Sequence, residues 1–93
     1  MTRLILNVDK KTNIYFDCEN HAEDHDVCTI ISTLCNVLVA EMIRIGLSPQ
    51  IYEEGHVRIE IPEAGYLTAY VFQTVKKVFE EVAEQEPEHV RIY

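Results

Sequence analysis

Cys18-Glu-Asn-His21-Ala-Glu-Asp-His25-Asp-Val-Cys28 runs directly into the apolar segment 29–45 of this 93-residue chain. It gathers two of the three cysteines and two of the four histidines, with Glu19, Glu23, Asp24 and Asp26 among them. Ile14-Tyr-Phe-Asp-Cys18 before it reads as a strand, and the apolar segment after it reads as a helix, so the stretch is a strand-to-helix junction. The first N–H groups of a helix have no intrahelical partner, and the dipole there favours negative charge. A thiol at such a place loses its proton more readily, and the thiolate is the form that attacks carbonyls or binds metal. Asp24 or Asp26 can serve as N-cap. With Asp26 as the cap, Cys28 falls in the first turn.

Working outward, residues 3–8 alternate, with Leu4, Leu6 and Val8 on one face. Residues 9–13 are turn-like and 14–18 form a second strand, which together make a hairpin. The helix is expected over 27–45, stopped by Gly46. One stripe of it is Val27, Ile30, Ile31, Leu34, Leu38 and Met42; the opposite stripe, Thr29, Ser32, Thr33, Asn36 and Ala40, is small and uncharged. A helix without a charged face over three turns is covered on both sides, by the sheet and by the second helix or a second subunit. Residues 50–54 and 56–61 read as another hairpin about Gly55. A second helix is expected from Pro62 or Glu63 to Gln85, with Leu67, Val71, Val75, Val78 and Val82 inward. Residues 89–93 close the chain as a strand. The order ββαββαβ describes an α+β domain, two helices packed on a largely antiparallel sheet.

A chain of this length holds one core and one domain, residues 1–93. Hydrophobic residues make up 47% of it, too many for a disordered acidic tail. The formal net charge of −8 repels phosphate backbones, which argues against nucleic acid and for a basic partner or substrate. The apolar runs read as too short for a bilayer, and the N-terminus lacks a secretory pattern, so a cytoplasmic protein off the membrane is the expectation. Three cysteines in that setting do not make a disulfide framework.

A cysteine nucleophile needs a base within hydrogen-bond reach and donors aimed at the oxyanion. His21, seven residues before Cys28, is placed for that work if a short loop folds it over the helix N-terminus, whose free N–H groups would hold the oxyanion. Asp26 and the side chain of Asn20 are both candidates to orient the imidazole; the spacing does not choose between them. The plainer alternative is an inert buried cysteine beside surface histidines.

These same residues resemble the ribosomal-processing cysteine protease family (Prp, or YsxB-like). Its members carry Gly-His-Ala and then Asp-Ile-Val-Cys-Ala-Ala-Val-Ser-Ala-Leu, against Asn20-His21-Ala22 and Asp26-Val27-Cys28-Thr-Ile-Ile-Ser32-Thr-Leu34 here. The hairpin 54–61 and the ending from Pro87 to Ile92 extend the resemblance over nearly the whole chain. It implies a homodimeric cysteine endopeptidase that trims the N-terminal extension of a large-subunit ribosomal protein, with no cofactor. By position it makes Cys28 the nucleophile, His21 the general base and Ser32 a supporting residue. Three positions depart from the family pattern. Asn20 stands for the glycine, the glycine-rich loop between His and Cys is shortened to 22–27, and His25 takes the place of the family aspartate.

Two readings of other classes compete. Cys18-x-x-His21 with His25-x-x-Cys28 offers four soft ligands for a tetrahedral Zn²⁺, provided that Cys18 does not point into the core. A catalytically silent, dimeric binding module would keep the fold and need only the shortened loop. The remaining signals read as structural. Cys35 shares the helix face of Cys28 and packs in the core. His56 and His89 lie on strands as surface or edge residues, and Tyr15, Tyr66 and Tyr70 read as core more readily than as a groove. The run Glu80, Glu81, Glu84, Glu86 and Glu88 is a solvated face.

Overall fold

Period-two alternation at both ends of the first turn builds the sheet's centre. In the structure, a computed structural model that describes all of residues 1–93, β1 (Thr2–Val8) and β2 (Ile14–Glu19) pair antiparallel, Leu4 opposite Cys18 and Leu6 opposite Phe16. Asp9 folds the turn between them: its Oδ1 accepts from the backbone N–H groups of Lys11 and Asn13, both at 2.9 Å.

The first helix, α1 (His25–Arg44), begins two residues before the expected 27. Asp24, not Asp26, is its N-cap, accepting from the N–H groups of Asp26 at 2.9 Å and Val27 at 3.1 Å. At the other end Gly46, with φ +82°, donates to the Ile43 carbonyl and Leu47 to the Met42 carbonyl, a Schellman close that ends the helix at Arg44.

β3 (Ile51–Glu53) and β4 (His56–Ile61) follow as the second hairpin, shorter at its first strand than 50–54. The second helix, α2 (Tyr66–Gln85), starts later than Pro62 or Glu63. The N–H of Glu63 donates to Asn13 Oδ1, that of Ala64 to the Thr12 carbonyl and that of Gly65 to Thr12 Oγ1. Those donors are committed to the first turn of the sheet, so the helix begins only after Gly65. β5 (Val90–Ile92) is shorter than 89–93 and pairs parallel to β1. The sheet order is β3-β4-β2-β1-β5, mixed, with three antiparallel pairs and one parallel. This is the expected α+β arrangement.

Leu4, Leu6, Ile14, Phe16, Cys18, Val57, Ile59 and Ile61 supply the buried face of the sheet. From α1, Val27, Ile31, Cys35, Leu38, Val39 and Met42 meet it; Ile30, expected inward, is 45% exposed. The inward face of α2 is also shifted from expectation. Thr68, Ala69, Phe72, Val75 and Phe79 are buried, while Leu67 is 77% exposed and Val78 lies at the surface. The two phenylalanines bury more area than Leu67 and Val78, and Phe79 stacks on Phe16 with centroids 5.7 Å apart, which sets the helix's rotation. By length and composition α1 is apolar enough to cross a bilayer, contrary to the sequence expectation. Here one of its faces belongs to the core.

Candidate active site

The order of elements puts the end of β2, the start of α1 and the β3–β4 turn together at one end of the strands. Between them lies a cleft of about 200 Å³, with His21, Cys28 and Ser32 on one side and Tyr52, Glu53 and Glu54 on the other. Its floor includes Cys18, Ile31, Cys35 and Val57. Cys28 Sγ lies 3.5 Å from His21 Nδ1. His21 is exposed and Cys28 half-buried, so a ligand in the cleft can reach both.

Asn20 turns the chain from β2 toward His21. Its φ is +70°, a left-handed conformation that asparagine tolerates better than most residues, so this residue can make the turn without a glycine. Its N–H donates to the Gly55 carbonyl at 2.8 Å and its carbonyl accepts from Thr2 Oγ1 at 3.0 Å. The loop from His21 to α1 is fastened rather than free. The Glu23 carboxylate accepts from the N-terminal ammonium and pairs with His89 Nδ1 at 3.1 Å. The ammonium first, and His89 after it, hold Glu23 down at about 2. The His89 imidazole is pushed up by the same carboxylate.

Of the residues singled out in the sequence, Asn20, His21, Cys28 and Ser32 come together in the cleft. Asp26 does not line it, and its backbone serves the cap of α1. Neither Asp26 nor the Asn20 side chain hydrogen-bonds the imidazole. The His21 Nε2 instead has Glu54 Oε1 at 3.9 Å. The expected oxyanion donors are also engaged: Asp24 takes the N–H groups of Asp26 and Val27 with its side chain, and that of Cys28 with its carbonyl at 3.0 Å.

The four-ligand zinc arrangement is not formed. Cys18 is buried at 7% exposure and points into the core. The Cys35 thiol beside it and, secondarily, burial push its ionisation up. His25 is exposed on the first residue of α1, away from the cleft. Two other groups bring metal-ligating atoms near one another, Asp17, Glu19 and His56 on the open face of the sheet, and Glu86, Glu88 and His89 near β5. In the first, His56 Nε2 is already paired with Asp17 at 2.7 Å.

Among the tyrosines, Tyr66 and Tyr70 are exposed on α2 and away from the cleft, and Tyr15 lies under Arg58 on the sheet. Tyr52, which sequence reading passed over, lines the cleft instead and donates to Asn36 Oδ1 at 2.9 Å. Its only sequence signal was the alternation of the short strand that carries it.

A Cys/His pair thus stands at the mouth of a cleft on a two-helix α+β domain. No family profile and no curated protein sequence matches the chain. Its fold, however, is that of the essential ribosomal processing protease Prp from S. aureus. In complex with a covalently linked product peptide, that protein superposes with a TM-score of 0.80 at 20% identity, over 99% of this chain and 97% of that one. The same protease in complex with a substrate peptide gives 0.79 at 19% identity, covering 100% and 98%. SMU.848 from Streptococcus mutans gives 0.76 at 19% identity, covering 99% and 91%.

Proposed function

We propose that residues 1–93 form a cysteine endopeptidase domain of the ribosomal-processing type, acting on a basic peptide such as the N-terminal extension of a ribosomal protein. The observation that carries this is the 3.5 Å separation of Cys28 Sγ and His21 Nδ1 in a fold shared with a protease that binds peptide. His21 takes the thiol proton as Cys28 Sγ bonds to the scissile carbonyl carbon, and the C–N bond then breaks as the proton passes to the leaving amine. Water, deprotonated by His21, hydrolyses the thioester and returns the thiol. Ser32, one turn beyond Cys28, faces the bound chain, and Asn20 sets the backbone that presents His21. Glu53 and Glu54 on the cleft wall, with the net charge of −8, favour a basic peptide.

No cofactor enters this chemistry. The reading includes a cytoplasmic homodimer joined through α1, where Ile30 and Val37, two turns apart on one face, are exposed. Val37→Lys is then expected to halve the mass measured by light scattering.

Incubation with basic peptides, with cleavage and any thioester on Cys28 followed by mass spectrometry, tests the peptidase. Turnover lost in both Cys28→Ala and His21→Ala is the expected result. A second reading, a silent peptide-binding module, is favoured by the Asp24 cap that occupies the helix amides. Binding of basic peptides without cleavage, with Cys28 alkylated no faster than an ordinary thiol, would replace the first reading by this one.

A further inference from the structure

We infer that Glu54, in the β3–β4 turn, is a positioning residue for His21 and completes a Cys28–His21–Glu54 relay; this rests on the peptidase reading above. The two imidazole nitrogens face different groups. Nδ1 faces Cys28 Sγ at 3.5 Å and Nε2 faces Glu54 Oε1 at 3.9 Å. A base that takes the thiol's proton through Nδ1 becomes an imidazolium whose second N–H points at that carboxylate. The other ionisable residues lining the cleft are Cys18, Cys35, Tyr52, Glu53 and His56, the last with its ring paired to Asp17 at 2.7 Å. Of all the acids in the chain, Glu54 alone comes within ion-pair distance of the imidazole.

A second observation is independent of that distance. The turn that carries Glu54 is fastened to the segment that carries His21, because the Asn20 N–H donates to the Gly55 carbonyl at 2.8 Å. The open side of Gly55 faces the ring, since a Cβ built there would stand 3.5 Å from His21 Nε2. Histidine and carboxylate are therefore presented by two backbone segments joined by a hydrogen bond, although the Glu54 side chain is 93% exposed. Its exposure limits the strength of the pair and leaves it sensitive to salt. When the peptide fills the cleft and excludes water, the same charge acts more strongly on the imidazolium.

The test is the rate of Cys28 alkylation by iodoacetamide across pH, in wild type, Glu54→Gln, His21→Ala and the double variant. Glu54→Gln is expected to slow alkylation near neutral pH by about two- to fivefold, the size of an exposed ion pair. That deficit should vanish at strongly alkaline pH, shrink in high salt, and be absent in the His21→Ala background. A purely structural role would change the rate at every pH and with or without His21. Superimposable wild-type and Glu54→Gln profiles, with His21→Ala altered, overturn the role of Glu54 alone. An unaltered His21→Ala profile overturns the Cys28–His21 reading itself.

Discussion

A Cβ placed on Gly55 would stand 3.5 Å from the Nε2 of His21, an ordinary contact, so the imidazole does not forbid a side chain there. The backbone does. Gly55 holds φ +83°, where an L-residue is strained by about 1–2 kcal/mol. Gly55→Ala is therefore expected to destabilise the domain by about that amount, read as a lower urea midpoint. An unchanged midpoint would show that the turn accepts an L-residue at this φ without strain.

The three thiols should separate cleanly under alkylation mapped by mass spectrometry. Cys18 and Cys35 are buried, at 7% and 4% exposure, and Cys18 is held protonated by its neighbour and by burial. Both are expected to react only on unfolding, whereas the half-buried Cys28 reacts in the native protein and loses its advantage in His21→Ala. Native labelling of Cys18 at a rate equal to Cys28 would show that β2 does not hold it inside.

Alternation and helical period made the element order legible, because each strand shows one face to the core and each helix is long. The Cys28–His21 pair was legible too, since a tight loop between a strand and a helix leaves His21 few places to go. What failed were features decided by partners distant in sequence. Thr12 and Asn13 claim the N–H groups that would have begun α2 at Glu63, and the stacking of Phe79 on Phe16 rotates that helix away from Leu67. Nothing local tells that Cys18 meets Cys35, or that β5 lies parallel to β1. Glu54 is one exposed glutamate among many; only the fold puts it against His21.

The Glu23–His89 pair gives a pH signature to the loop before Cys28. Glu23 is held at about 2, so its contribution is present above the ordinary carboxylate range and is lost as pH falls from about 4.5 toward 2. His89 is raised, so its contribution is full below its unfolded value near 6.5 and is lost as pH climbs through the folded value. Glu23→Gln should return the His89 titration, followed by NMR, to the ordinary histidine range, and should speed amide exchange in residues 22–24. An unmoved His89 midpoint would mean that the pair does not form in solution.

Glu41 is the buried charge that ties the two helices. Its carboxylate accepts from Arg44 Nε and a terminal guanidinium nitrogen, both at 2.7 Å, and from Thr68 Oγ1 of α2 at 2.9 Å. The Arg44 guanidinium first, and Thr68 after it, hold the carboxyl below its ordinary range despite its burial. Thr68→Val removes one hydrogen bond to a charged group that keeps its other partners, a loss of about 1 kcal/mol. Arg44→Ala leaves a buried carboxylate with only a hydroxyl, a loss of about 1–3 kcal/mol. The two differ in their pH dependence. A depressed carboxyl stabilises above its unfolded value near 4.5 and loses that effect as pH falls through its folded value, so the Arg44→Ala deficit in urea unfolding should be largest at pH 7 and shrink toward pH 4 as Glu41 protonates. A deficit that stays constant over that range would assign it to lost packing of the arginine stem over α1 rather than to the charge pair.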